Sequence, residues 1–426
     1  MDNMLKIGGV AADALVKAAG TPLMVYDEGA LINKIKLFKE SFTHPEFETQ
    51  IIYASKAFSC REMLKLLKSE NAGLDSVSGG ELYAALDAGF DMGEVVFHGN
   101  NKTPKEIREA ITAGVGLIVI DGEEELDEVI LACKELKKEC PVLIRVNPGI
   151  SADTHKYIIT ASIDSKFGTA IYDYEKILGM IKKASADEYV RFDGLHIHIG
   201  SQIFGIDPFI AGVEKIFDFA KRVENDGYPV KIIDLGGGFA ATYVEGDKPL
   251  PVDIVCKSIL DACAENNKKH QLNVKKIMIE PGRSLVAEAG TTLYTVGYSK
   301  KTANKKYVFV DGGMADNIRP ALYGALYTCT VANKQNEEPS QKVTIAGKCC
   351  ESGDIIAEDV MLQDAKPGDI LAVFTTGAYG YSMASNYNRL GLPAVVFAKD
   401  GKARLVIKRQ SYEDMVRLDT DTEVIG

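Results

Sequence analysis

The chain lacks tryptophan altogether and carries only 6 histidines and 14 prolines in 426 residues. Its eight cysteines are scattered and never take the C-x-x-C spacing of a zinc site. They are also too sparse for a disulfide framework, so a reducing cytoplasm is the expected compartment. No apolar run reaches the roughly 18 residues that a membrane helix needs. The opening Met1-Asp2-Asn3-Met4-Leu5-Lys6 has neither the basic nor the apolar region of a secretory signal. Positive charge is in deficit: Lys and Arg number 49 against 60 for Asp and Glu, a net charge of -11. That balance argues against a general binder of nucleic acid or anionic membrane, while leaving room for a local basic pocket that takes a phosphate. Neither a Ser-His-Asp spacing nor a His-Glu-x-x-His motif is present, so hydrolase and zinc chemistry have little support and no metal is expected. With 46% hydrophobic and 26% charged residues, collagen-like, disordered and coiled-coil classes are excluded.

What is present is a recurring alternation. Between about residues 51 and 280, short apolar runs alternate with longer amphipathic stretches. The runs are Ile51–Ala54, Leu74–Val77, Val95–Phe97, Leu117–Ile120, Val142–Val146, Leu195–Ile199, Ile232–Leu235 and Ile277–Ile279. Four to six residues enriched in β-branched side chains read as buried parallel strands. Between them, stretches such as Arg61–Leu67 and Glu123–Glu139 carry apolar residues at helical spacing, Pro104 opens another helix, and residues 30–42 form one ahead of the first strand. Eight strands and eight helices in about 250 residues predict an α/β fold, a (β/α)8 TIM barrel. An open doubly wound sheet is the competitor, because strand order is not written in the sequence. After about residue 286, short strands broken by Gly, Pro, Asn and Asp predict a second, mainly β, sandwich or barrel-like domain. The expected division is a barrel over 28–285 and a β domain formed by 1–27 plus 286–426.

In such a barrel the chemistry lies at the carboxyl ends of the strands. The residues that follow the eight runs are Lys56, Ser76 with Ser78, His98, Asp121, Arg145 with Asn147, His198 with Ser201, Gly236-Gly237-Gly238, and Glu280 with Arg283. Solvated loops would account for one or two of these better than for all eight. Lys56, at the floor of the mouth, is expected to be desolvated and so able to condense with an aldehyde, although alone it reads better as a structural lysine. The glycine run can present backbone N–H groups to an anion, and Pro281-Gly282-Arg283-Ser284 is a second phosphate-capable element. Glu280 is then a buried carboxylate near that phosphate, fit either for an ion pair or for holding a pyridinium N–H. One of His196 and His198 is expected to face the mouth and the other away. A further cluster, Arg319 with Tyr323, Cys349-Cys350-Glu351-Ser352-Gly353-Asp354 with a thiol beside two acids, and Tyr379, lies in the β domain; taken singly these read as a turn, a buried thiol and a core aromatic.

Together, six ordered motifs make the sequence resemble the barrel-type (fold type III) pyridoxal-phosphate-dependent decarboxylases of basic amino acids over essentially the whole chain. They are Tyr53-Ala54-Ser55-Lys56-Ala57, His196-Ile197-His198-Ile199-Gly200-Ser201-Gln202, Gly236–Gly238, Glu280-Pro281-Gly282-Arg283, Cys350-Glu351-Ser352-Gly353-Asp354 and Gly377-Ala378-Tyr379-Gly380. The likeness is greatest to the branch acting on meso-2,6-diaminopimelate, and it implies decarboxylation of that substrate to L-lysine and carbon dioxide. It implies that Lys56 holds pyridoxal 5'-phosphate covalently. Gly238, Ser201, Gly282 and Arg283 would hold its phosphate, Glu280 its pyridine nitrogen and His198 its ring face, with Tyr379 also at the cofactor. Cys350 would supply a proton, and Arg283, Arg319, Tyr323, Glu351 and Tyr379 would grip the substrate. The resemblance further implies a homodimer whose active site is shared across the interface.

The chain departs from the family pattern at Lys348, at Phe58-Ser59-Cys60 and at Ala161. Cys350 directly precedes Glu351, as in the family motif, which selects it over Cys349. Other readings are a relative acting on ornithine, lysine, arginine or a carboxylated polyamine, an alanine racemase, a non-enzymatic cofactor carrier, and a barrel oxidoreductase.

Overall fold

Eight strands close into a ring in the computed structural model, which describes residues 3–150 and 165–425. Ala161 and the first two residues lie outside the described ones. The strands are β1 (Glu48–Ala54), β2 (Gly73–Ser76), β3 (Val95–Phe97), β4 (Leu117–Ile120), β5 (Cys140–Asn147), β6 (Val190–His196), β7 (Ile232–Asp234) and β8 (Lys276–Ile279). Each pairs in parallel with the next, and β8 returns to β1 through Ile279 opposite Ile51. Closure excludes the open doubly wound sheet. It also removes exposed edges, which is why β4 can be apolar and buried at every position.

Ile52, Val96, Leu117, Val119, Leu143 and Met278 pack into one cluster. They come from β1, β3, β4, β5 and β8, so the cluster joins opposite sides of the ring through its middle. A glycine lets β6 and β7 approach closely. At Gly194 in β6, a Cβ would lie 1.9 Å from the Ile232 carbonyl oxygen of β7.

Long helices follow the first seven strands: Arg61–Ser69, Gly79–Asp87, Pro104–Ala113, Glu123–Leu136, Tyr174–Ala186, Asp207–Asn225 and Val252–Lys269. Among the described residues β8 is followed by only one turn, Arg283–Val286, and the eighth long helix, Glu28–Ser41, precedes β1. Local signals fix the helix starts. Thr103 and Glu106 form a reciprocal capping box with Pro104 in the first turn. Ser78 accepts the N–H of Glu81 at the start of Gly79–Asp87. None of the helices among the described residues is long and apolar enough to cross a membrane.

The chain separates into two compact units, Ile32–Ala241 with Lys248–Leu285, and Met1–Leu31 with Thr242–Asp247 and Val286–Gly426. The second is mainly β. Its sheet runs Ile355–Leu362, Gln341–Ala346, Lys306–Val310, Gly290–Lys301, Leu23–Asp27, Ala394–Lys399, Lys402–Ile407, and Ile370–Phe374 branches from Gly290–Lys301. The amino-terminal strand Leu23–Asp27 is a central member, antiparallel to Gly290–Leu293 and parallel to Ala394–Ala398. Leu23, Val25, Leu293, Ala372 and Val396 join Ile7, Ala12 and Leu15 in its core. Ile355–Leu362 carries no clean alternation in sequence because Asp359 takes a left-handed φ of 56° and the pairing slips twice.

Gly194→Ala is expected to destabilise the chain by on the order of 3 kcal/mol or more, because backbone rather than a movable side chain occupies the Cβ position. Gly179→Ala, in the helix Tyr174–Ala186 with nothing within 4 Å of its Cβ, should stabilise by up to ~1 kcal/mol. Urea unfolding of both variants checks the pair.

Candidate active site

The carboxyl ends of the barrel strands converge on Glu280, the first residue after β8, which is only 7% exposed. His98, just past β3, brings Nε2 to 2.6 Å from Glu280 Oε1, a contact short but poorly aligned for a hydrogen bond. His196, the last residue of β6, brings Nε2 to 3.3 Å from Oε2 in a hydrogen bond. The two imidazole rings meet edge to face with centroids 4.9 Å apart. Burial alone would raise the Glu280 pKa, but the two histidines outweigh it and hold the carboxyl well below the usual range. Burial pushes the other way on the rings: His98 is lowered to about 4 and His196 is lowered too, so both are neutral.

Two further carboxyls stand beside Glu280. Asp75 in β2 and Asp234 at the end of β7 are both held well above the ordinary carboxylate range, first by burial and then by the charge of Glu280. Asp234 Oδ1 accepts the N–H of Gly236 at 2.9 Å.

His198 does not turn away from this cluster. Its ring accepts the Gly237 N–H on Nδ1 at 3.1 Å and feels the charges of Lys56, Arg145 and Glu280, and burial drives its pKa well below the usual histidine value. The expected opposition of His196 and His198 is therefore corrected. Residues two apart in an extended segment share a face, and β6 has already ended at His196. Lys56 also differs from expectation. It sits in the one-turn Ser55–Ala57 after β1 and is exposed, between buried Ser55 and Ala57. The desolvation expected of it is absent from the free chain.

Backbone geometry accounts for the glycines. Gly236 and Gly238 have φ of 68° and 113°. A Cβ on Gly237 would stand 2.4 Å from the Glu280 carbonyl oxygen. The run thus packs the loop after β7 against those after β6 and β8. Gln202 ties the first two of these loops together, donating from Nε2 to the Ala241 carbonyl at 2.7 Å and accepting the Ala241 N–H at 3.1 Å. Arg283, buried, donates from Nη2 to Ser201 Oγ at 3.0 Å. Gly282 lies so close to the end of β1 that its Cβ would meet that of Ala54 at 2.9 Å. Lys56, His198, Ser201, Gly238, Glu280, Gly282 and Arg283 are therefore brought to one end of one barrel.

That end fits pyridoxal phosphate. It has an amine for an aldehyde, an ionised carboxylate for a pyridinium N–H, an imidazole for the ring face, and an Arg–Ser pair beside glycines for a phosphate. Buried polar atoms here lack protein partners, among them Ser55 Oγ, Ser76 Oγ, Asp75 Oδ1 and Ser284 Oγ. Leaving such groups unpaired costs on the order of 1–3 kcal/mol each, which a polar ligand relieves.

The second unit holds the remaining residues. Arg319 and Tyr323 share the short helix Arg319–Tyr323. Arg319 is buried, donates from Nη1 to Tyr327 Oη at 2.6 Å and lies over the Tyr243 ring at 4.9 Å. Tyr323 is half-buried. The doubled cysteine splits in two directions. Cys349 is buried and its thiol is pushed up to about 11 by burial and by Asp354. Cys350 is exposed, its N–H donating to Asn388 Oδ1 at 2.7 Å. Glu351 is exposed and accepts from Tyr387 Oη at 3.3 Å. Asp354 pins this turn, accepting the N–H of Cys349 on Oδ2 at 2.7 Å and that of Met314 on Oδ1 at 2.6 Å. Tyr379 is half-buried with φ 59°. Sequence reasoning assigned no role to Asp75, Tyr243 or Tyr327, and noted Asp354 only as an acid near the thiol. Of the first three, only Asp75 left a signal, a charge inside the run Leu74-Asp75-Ser76.

The fold agrees with the comparisons. Residues 28–287 match the family model described as pyridoxal-dependent decarboxylase, pyridoxal binding domain, and the chain belongs to the pyridoxal-dependent decarboxylases. It is 48% identical over 417 residues to diaminopimelate decarboxylase of Halalkalibacterium halodurans, covering 97% of this chain and 95% of the relative. It is 47% identical over 420 residues to that of Bacillus subtilis, covering 97% and 95%. A solved diaminopimelate decarboxylase from M. jannaschii, in complex with L-lysine, superposes with a TM-score of 0.93 at 34% identity, covering 99% of this chain and 97% of that one. Within its class, the chain is a member of the diaminopimelate decarboxylase family.

Asp316 gives a pH test of the second unit. It accepts the Gly313 N–H at 2.9 Å, yet burial raises its pKa from 3.8 to about 7. The folded chain binds this proton more tightly than the unfolded one, so its contribution is lost as pH rises from about 4 to 7. Asp316→Asn should match the wild type near pH 4 and exceed it near pH 8 by on the order of 2 kcal/mol, read from denaturant midpoints at the two pH values.

Proposed function

We propose that the chain decarboxylates meso-2,6-diaminopimelate to L-lysine and carbon dioxide, the last step of lysine biosynthesis, with pyridoxal 5'-phosphate as cofactor. The observation that carries this reading is Glu280, a buried carboxylate held ionised in the barrel mouth that also presents Lys56 and His198. An anion at that place keeps a pyridinium ring protonated, which favours decarboxylation over racemisation. The bound cofactor supplies an electron sink for the pair left behind when carbon dioxide departs.

The chain's own residues do the rest. Lys56 would hold the cofactor through its amine. Ser201, Gly238, Gly282 and Arg283 would hold the phosphate, and His198 and Tyr379 would hold the ring. Cys350 hands its Sγ proton to the carbon that has lost carbon dioxide. Its exposure, against the buried and proton-retaining Cys349, supports it as the donor.

The substrate's far end carries a carboxylate and an ammonium. Arg319 takes the first and Glu351 the second, with Arg283, Tyr323 and Tyr379 completing the grip. Ornithine has no distal carboxylate and would leave an arginine unpaired. The resemblance to the family supports a cytoplasmic homodimer in which the Cys350–Glu351 and Tyr379 segments serve the partner's barrel. It also supports a cofactor-binding domain over 28–285 with 1–27 and 286–426 forming the second.

Carbon dioxide release from meso-diaminopimelate should require added cofactor in the stripped protein, and faster release from ornithine would overturn the substrate assignment. Borohydride reduction followed by peptide mapping should label Lys56 alone, and Lys56→Ala should lose both the label and turnover. Sedimentation should give a dimer.

A further inference from the structure

Three buried carboxyls stand together at the barrel mouth, yet they do not behave alike. Asp75 and Asp234 are pushed toward the protonated form, and Glu280 toward the ionised one. Burial cannot make that distinction, since it acts on all three. Nor can the cations nearby, because Lys56 and Arg145 act on Asp75 as well. What Glu280 alone possesses is an imidazole at each oxygen: His98 Nε2 2.6 Å from Oε1, and His196 Nε2 3.3 Å from Oε2. The two rings arrive from β3 and β6 and brace one another edge to face at 63°.

Both rings are buried and neutral, so each has a single N–H to give. The Nδ1 of His196 has no partner, which places its proton on Nε2 facing Glu280. Each carboxylate oxygen keeps a second lone pair for another donor.

We propose that His98 and His196 are positioning residues that select Glu280, among three neighbouring carboxyls, to carry the negative charge and that aim it at the pyridinium N–H of the cofactor. Without them the proton is shared with Asp234, whose carboxylate lies within 4.8 Å of that of Glu280. The carboxylate is then also free to rotate. The inference rests on the reading that Glu280 faces the pyridine nitrogen.

The test uses the full chain loaded with pyridoxal phosphate carrying nitrogen-15 in its ring. In wild type the ring nitrogen should give a pyridinium shift. His98→Phe and His196→Phe should each move it toward the neutral pyridine value at saturating cofactor and weaken cofactor binding by about tenfold, or ~1.4 kcal/mol. His98→Gln, whose amide reaches the place of Nε2, should restore the pyridinium shift and bring affinity within about threefold of wild type. A defect of packing alone would weaken binding without moving the shift.

Should the phenylalanine variant not fold, His98→Asn replaces it, because its amide is too short to reach Oε1. A pyridinium shift and affinity unchanged in the His98 and His196 variants would overturn the proposal, as would failure of His98→Gln to restore them. Glu280→Gln separates the two levels. If it too leaves the shift unchanged, the assignment of Glu280 fails. If it abolishes the shift while the histidine variants keep it, only the pairing with histidine fails.

Discussion

A carboxylate removed from water into a ring of strands is among the costlier things a fold can hold, unless its charge is met where it lies. Glu280 is in that position, and the barrel mouth is organised around it. Two histidines reach its two oxygens, and two neighbouring carboxyls are pushed toward their protonated form. The closed ring makes this possible. Side chains from β2, β3, β6, β7 and the end of β8 meet only because the first and last strands pair.

The same closure explains the glycines. Their value at 236–238 lies less in openness than in proximity, since backbone carbonyls of neighbouring loops already occupy the places of their Cβ atoms. Loops packed that tightly hold His198, Ser201 and Arg283 in fixed relation, and the Gln202–Ala241 pair of hydrogen bonds stiffens the same region. A site that must bind a ring, a phosphate and an aldehyde at once benefits from that rigidity.

The second unit solves a separate problem by the same means. Arg319 sits in an aromatic enclosure of Tyr243 and Tyr327, which holds its guanidinium in place and lowers the cost of burying it. Asp354 gathers two backbone N–H groups so that Cys349 turns in and Cys350 turns out. Two adjacent thiols are thereby given different environments by one carboxylate.

The eight apolar runs, the glycine run and the motifs from Lys56 to Tyr379 were legible in the sequence. Each depends on residues close in the chain: β-branched runs need burial, helix caps act over three residues, and a strand end is visible as the point where apolar residues stop. Other features depended on distance. Closure of the ring rests on Ile51 meeting Ile279, more than two hundred residues away. The amino-terminal strand's place between Gly290–Lys301 and Ala394–Lys399 rests on pairings just as remote. The orientation of His198, the exposure of Lys56, the caging of Arg319 and the division of labour among Asp75, Asp234 and Glu280 were decided in tertiary structure alone. Charge and hydrogen bonding act through space, and a linear order of residues does not state which of them become neighbours.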